Sequence, residues 1–376
     1  MMKDPVFSLI TPTGIYLLPI DLLIPDKDAC SLIHFQKALR EQEAIIQRYV
    51  KKLMEQLTLR SSEGPQDVIR WFTFTTYDLI RGLLFGEQFG CVEDGEYDPF
   101  VQLIRNISKE LTMIQMFNIT ASWERAQRVI ATVDRRAKSK TNGKDFLHYI
   151  LAAMETDKGI DGFNTFSLRI AGSESSATLL CGFIFYTLTH PTVRQKLITE
   201  VRDAFQSEDQ IVMANVHHLT YLNAVLQECL RIYPPVAVTL PRVVPDGGEM
   251  IDGGYVAAGT TVGVNHFACY HDQRNFHRPN QFLPERWIPS AEDKTSPFSH
   301  DQRNCLQPFS LGPRNCLGKN LAWAEIRLIT THLLYLFDRE PERSVGNRWT
   351  ERQNVFGFWD KPPLLVHLTP KQKTST

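Results

Sequence analysis

The chain has 376 residues, 43% apolar and 10% aromatic, enough to bury one large core or two modest ones, which argues against a disordered or fibrous protein. Its 41 basic and 42 acidic residues leave a formal net charge of -1, so no long-range field draws it to a polyanion and nucleic acid is not expected as a partner. The cysteines at 30, 91, 181, 229, 269, 305 and 316 are odd in number, scattered and without one CxxC pair, which argues against a disulfide scaffold or a paired zinc site and fits a reducing compartment.

The opening stretch MMKDPVFSLITPTGIYLLPIDLLIPDKD is moderately apolar but is cut by prolines and Asp21. It falls short of the roughly 20 apolar residues of a membrane span, so no anchor or signal peptide is expected. A helix is predicted from near Leu32 through FQKALREQEAIIQRYVKKLMEQL, where Leu39, Ile45, Ile46, Val50 and Leu53 return on one face, and a second over residues 66–84. The charged, turn-rich DRRAKSKTNGKD at 134–145 reads as a solvated connection. Residues 163–190 read as one long apolar helix ended by Pro191, roughly 42 Å from end to end. Its polar stretch from Ser173 to Ser176 makes it a core helix rather than a membrane span. Further helices are predicted over 191–205, 219–232 and 317–336. Between 233 and 303 the texture turns to Pro, Gly and short β-branched runs such as GTTVGVN, so small strand pairs are expected there. The fold class is mainly α with small β-sheets, without a repeat period.

The stretch FSLGPRNCLG, residues 309–318, sets Cys316 among residues that change the reading of a lone cysteine, which is ordinarily buried and inert. Gly312 and Gly318 permit tight turns and close approach by a flat ligand, and Pro313 stiffens the loop between them. Turn amides, the charge of Arg314 and the start of the helix KNLAWAEIRLITTHLLYLF would all favour a thiolate. With no second cysteine or histidine at ligand spacing, a metal held there must bring its other ligands, and haem does so.

FSLGPRNCLG resembles the haem-binding loop of the cytochrome P450 family, whose pattern Phe309, Gly312, Arg314, Cys316 and Gly318 match in register. Three further stretches resemble the family in the expected order. ECLR supplies Glu228 and Arg231, on one helical face and among apolar Val225, Leu230 and Ile232, and FLPERW supplies Arg286, expected to complete a buried ion network. AGSESS is similar to the oxygen-side motif of the long central helix. There Gly172 leaves backbone open beside a ligand, Glu174 relays protons and Ser175, where the family commonly has threonine, bonds the oxygen species. Arg242, in LPRVV, is similar to the arginine that clamps a haem propionate. His217 and His218, adjacent and expected to point apart, and His266 and His271 are read as structural or surface residues.

The resemblance covers roughly residues 31–370, with an atypical segment at 1–30 and a polar tail at 371–376. It implies a cytochrome P450 fold lacking its usual N-terminal portion, with heme b ligated by Cys316. KALREQEAIIQRYV, WFTFTTYDLIRGLLFGEQFG and VFGFWDKPPLLVHL look most like the fungal secondary-metabolism branch, which includes trichothecene C-15 hydroxylase-like enzymes. The activity implied is oxygen insertion into an apolar terpenoid or polyketide. Electrons would come from an NADPH-cytochrome P450 reductase, since this chain holds no nucleotide-binding glycine loop. The alternatives are a catalytically impaired haem-binding remnant and a redox-independent haem-thiolate isomerase or dehydratase. Family members associate with the endoplasmic reticulum; without an anchor, a cytoplasmic location is the alternative for this chain.

Overall fold

A computed structural model describes residues 10–11, 14–15, 32–85, 90–97, 162–312, 315–343, 345–346, 348–356 and 358–371. The connection expected at 134–145 and nearly all of the segments 1–30 and 371–376 lie outside the described residues. The first strand pair is β1 (Ile10–Thr11) with β2 (Gly14–Ile15).

Helix α1 (Leu32–Arg60) buries Ile46, Tyr49, Val50, Leu53, Met54 and Leu57, a helical-period stripe against α2 (Val68–Phe85). α2 is buried on every side along Trp71, Phe72, Phe74, Tyr77, Leu79, Ile80 and Leu83. Its Asp78 accepts from the Val92 amide at 3.0 Å in the short α3 (Cys91–Asp94), and burial pushes the Asp78 carboxyl up to about 6.

The central element is α4 (Gly162–Thr189), packed on α2 and buried along Ala177, Leu180, Cys181, Phe183 and Ile184. Pro191, which cannot continue a helix but can begin one, separates it from α5 (Pro191–Ala204). Then follow α6 (Met213–Val216) and α7 (Thr220–Ile232). Gly182 lets the Tyr233 ring lie against α4, since a Cβ there would stand 2.7 Å from the ring.

The expected strand pairs are present. β4 (Arg242–Val243) pairs antiparallel with β7 (Thr261–Val262), and β5 (Glu249–Ile251) with β6 (Gly254–Val256) across an Asp252–Gly253 turn whose two residues both have positive φ. The short α8 (His266–Tyr270) is capped by the Asn265 side chain. After α9 (Lys319–Leu336), the chain returns to sheet: β11 (Leu365–Pro370) lies between β3 (Gln66–Asp67) and β8 (Phe337–Pro341), and β9 (Asn354–Phe356) pairs with β10 (Phe358–Asp360). Among the described residues, no helix is long and apolar enough to cross a membrane.

Two residues test this packing. Trp349 is fully buried, stacks near Phe185 at 5.3 Å and donates from Nε1 to the Pro362 carbonyl at 2.9 Å. Trp349→Ala should cost about 3–5 kcal/mol in denaturant unfolding. Glu325 of α9 is buried against α4, with a hydrogen bond to Ser176 and an Oε2 that has no partner among the described residues. Burial pushes its carboxyl from 4.5 up to about 8. The folded chain therefore holds this proton more tightly than the unfolded chain, and stability falls as pH rises between those values. Glu325→Gln should match the wild-type melting temperature near the lower end of that window and exceed it by about 5 °C above its upper end, read by thermal unfolding across pH.

Candidate active site

The loop before α9 turns back on itself through Ser310 (φ 58) and Gly312 (φ 70). Both occupy the left-handed region, which suits glycine and strains serine. The turn closes where the Cys316 amide donates to the Phe309 carbonyl at 2.7 Å and the Asn315 amide to Gly312 at 3.1 Å. Phe309 is anchored against the core and lies 6.1 Å from the Trp323 ring on α9. Gly318, expected to serve a turn, has an ordinary φ of -82; what glycine leaves there is bare backbone beside the sulfur, where a Cβ would rest 3.9 Å from Sγ. Pro313 and Arg314 lie outside the described residues.

Cys316 is the exposed member among the described cysteines; Cys91, Cys181 and Cys229 are buried, and Cys269 and Cys305 half-buried. The protein packed around its sulfur pushes the thiol up, while the Gly318 and Lys319 amides and the Lys319 charge act in the opposite direction. The charge of Arg314, which the expectation of a thiolate also counts, lies outside the described residues; among the described groups the upward effect of desolvation is the larger. Among the described residues, no group of three or more His, Cys, Asp or Glu side chains is arranged to hold a metal ion. One accessible sulfur flanked by amides at a helix start suits instead a group that brings its own equatorial ligands and takes a single ligand from the protein.

The chain that leads to the loop is tied to a buried ion network. Arg231 donates from Nε and Nη2 to the two oxygens of Glu228 at 2.9 and 2.7 Å, all fully buried. Arg286 approaches the same carboxylate at 3.1 Å, and the Trp287 indole donates to it at 2.8 Å. The outer N–H groups of Arg231 reach the carbonyls of Tyr270, Pro279 and Gln281 at 2.8, 2.7 and 3.1 Å. Sequence reasoning missed the fourth charge, Asp301, which pairs with Arg286 and accepts from the His277 amide at 2.6 Å. One carboxylate and two guanidiniums would leave a net positive charge in the interior, and that imbalance was the signal that a second carboxylate was needed.

On α4 the structure separates the residues of AGSESS. At Gly172 a Cβ would stand 2.5 Å from Ile80 Cδ1, so its glycine allows α2 and α4 to approach. Ser175 is half-buried and its hydroxyl bonds back to the Ala171 carbonyl. Glu174 is buried and paired with Lys361 Nζ at 3.4 Å, a partner that sequence reasoning also missed.

Arg242 is half-buried, and Nη1 donates to the Pro241 carbonyl at 2.9 Å. His217 and His218, expected to point apart, lie with ring centroids 3.7 Å apart, because His217 keeps helical backbone (ψ -16) at the end of α6. His266 is buried and stacked on Tyr270, and burial holds its imidazole below the usual value; the same holds for His271. An open depression of about 400 Å³ lined by Trp287, Pro289, Glu292, Arg303 and Leu306 flanks the ion network and contains none of Cys316, Glu174 or Ser175.

Comparison with known proteins agrees with this geometry. The family description Cytochrome P450 matches residues 30–367. The chain is 39% identical to cytochrome P450 monooxygenase astA of Talaromyces wortmannii, over 89% of this chain and 70% of that protein. It is 38% identical to cytochrome P450 monooxygenase aclL of Aspergillus oryzae, over 89% and 71%. With an averantin hydroxylase of Aspergillus parasiticus it shares 36% identity over 90% of this chain and 72% of that protein. The family implies a thiolate-ligated haem. With fungal secondary-metabolism monooxygenases as its relatives, the chain belongs to the cytochrome P450 family of oxidoreductases.

Proposed function

We propose that the chain is a haem-thiolate monooxygenase that hydroxylates an apolar secondary metabolite of the terpenoid or polyketide class, taking electrons from NADPH-cytochrome P450 reductase and oxygen from dioxygen. The observation that carries this reading is Cys316: an exposed residue whose sulfur is flanked by backbone amides, in a loop closed at the start of α9. Hydroxylation is favoured over isomerisation because the averantin hydroxylases among the relatives are named for that reaction and because the sequence retains an acid and a hydroxyl at Glu174 and Ser175.

In this reading Cys316 holds the haem, with Phe309, Gly312, Arg314 and Gly318 shaping the loop. The bound group supplies the dioxygen activation and hydrogen abstraction that side chains cannot perform. Arg242 suits a carboxylate of the cofactor, since its remaining N–H groups make no bond among the described residues. Glu174 moves protons toward the oxygen side, and the Ser175 hydroxyl can turn from the Ala171 carbonyl to donate there. Glu228, Arg231, Arg286 and Asp301 take no part in the chemistry; they hold the backbone that leads to the loop.

The reduced carbon monoxide difference spectrum tests this reading on the chain expressed with a haem precursor. A band at about 450 nm is expected in the wild type and is lost in Cys316→Ala. An unchanged spectrum in the variant, or no haem in either protein, would overturn the assignment of Cys316.

A further inference from the structure

Lys361 stands between β10 and β11 in a stretch whose ends are tied down. Trp359 donates from Nε1 to the Pro234 carbonyl at 2.8 Å, and the Leu364 amide donates to Asp67 at 3.1 Å. Between them the Pro362 carbonyl accepts from Trp349. From this pinned backbone the Lys361 ammonium reaches into the core, donating to Thr178 Oγ1 at 2.8 Å and meeting Glu174 Oε2 at 3.4 Å. Glu174 and Thr178 are one turn apart on α4, so a single cation bridges two groups of the same helical face. With side chains only 5% and 10% exposed, Lys361 and Glu174 have little water to share their charge, and each depends on the other.

We propose that Lys361 is a positioning residue for Glu174: the segment after β10, and not α4 alone, sets where this carboxylate stands. The proposal rests on the haem-thiolate reading for its consequence. Dioxygen that takes two electrons and two protons leaves as hydrogen peroxide, whereas four of each give two waters. A displaced Glu174 should therefore send more NADPH electrons to peroxide, and this division is measurable without knowing the substrate. Among the described residues, Cys181 of α4 lies within electrostatic reach of both Lys361 and Glu174, as well as of Asp67 of β3, and Tyr233 beyond α7 lies within reach of Glu174. Burial pushes the Cys181 thiol up to about 12 and the Tyr233 hydroxyl well above its usual value, so both stay neutral. Glu325 of α9 faces a different α4 side chain, Ser176.

The test uses the haem-loaded full chain with Lys361→Met, Lys361→Arg, Glu174→Gln and the double variant Glu174→Gln/Lys361→Met. With reductase, NADPH and air, Lys361→Met should raise the share of electrons found as hydrogen peroxide at least about twofold, while Lys361→Arg stays near the wild type. In thermal unfolding at mildly alkaline pH, Lys361→Met should melt about 5 °C lower or fail to fold, and adding Glu174→Gln should recover most of that loss. An unchanged peroxide share in Lys361→Met, or a thermal loss that Glu174→Gln does not relieve, would overturn the proposal. If the wild type consumes no NADPH, the haem-thiolate reading fails, while the thermal comparison still decides whether Lys361 holds Glu174.

Discussion

The run of backbone that leads to the Cys316 loop is braced by four buried charges held as a set. Glu228 and Arg231 come from α7, Arg286 from the turn at Pro284–Trp287 and Asp301 from the segment that leads to the loop. Taking any one of them out of water alone costs several kcal/mol, so each is tolerable only where the other three already stand. That mutual need has a geometric result. The carbonyls of Tyr270, Pro279, Gln281 and His277 are fixed by guanidinium N–H groups, and a long run with little regular structure gains a defined course. Arg303 extends the brace, donating to the Arg286 carbonyl at 2.9 Å just before the loop begins.

The central helix is treated in the opposite way. α4 turns two polar faces to its neighbours: Ser176 meets α9, and Glu174 and Thr178, one turn apart, meet Lys361 in the segment after β10. Ser176 bonds the strained carboxyl of Glu325, and Thr178 and Glu174 share Lys361. Buried groups of this kind lower stability relative to apolar packing, and they mark where a fold gives up stability for chemistry or for position.

The sequence made some of this legible and hid the rest for physical reasons. The long helix was readable because Pro191 ends it and its apolar content fills both faces, and the strand pairs near 242–262 because Gly and β-branched residues alternate in short runs. Cys316 was readable because its loop residues lie close together in sequence. Asp301 and Lys361 were not, since their partners lie 15 and 187 positions away and nothing local distinguishes a buried charge from a solvated one. The packing role of Gly172 was hidden for a related reason: the side chain its missing Cβ makes room for, Ile80, belongs to another helix.

Amide hydrogen exchange of the haem-loaded chain, wild type against Asp301→Asn, tests most directly whether the ion network holds the cysteine loop. The substitution keeps the shape of the side chain and leaves Arg286 without full neutralisation. Exchange should accelerate by about tenfold or more through residues 277–310, with the buried part of α4 near Phe183 unchanged. Equal exchange in both proteins across 277–310 would contradict the account and leave the loop dependent on its own turn geometry.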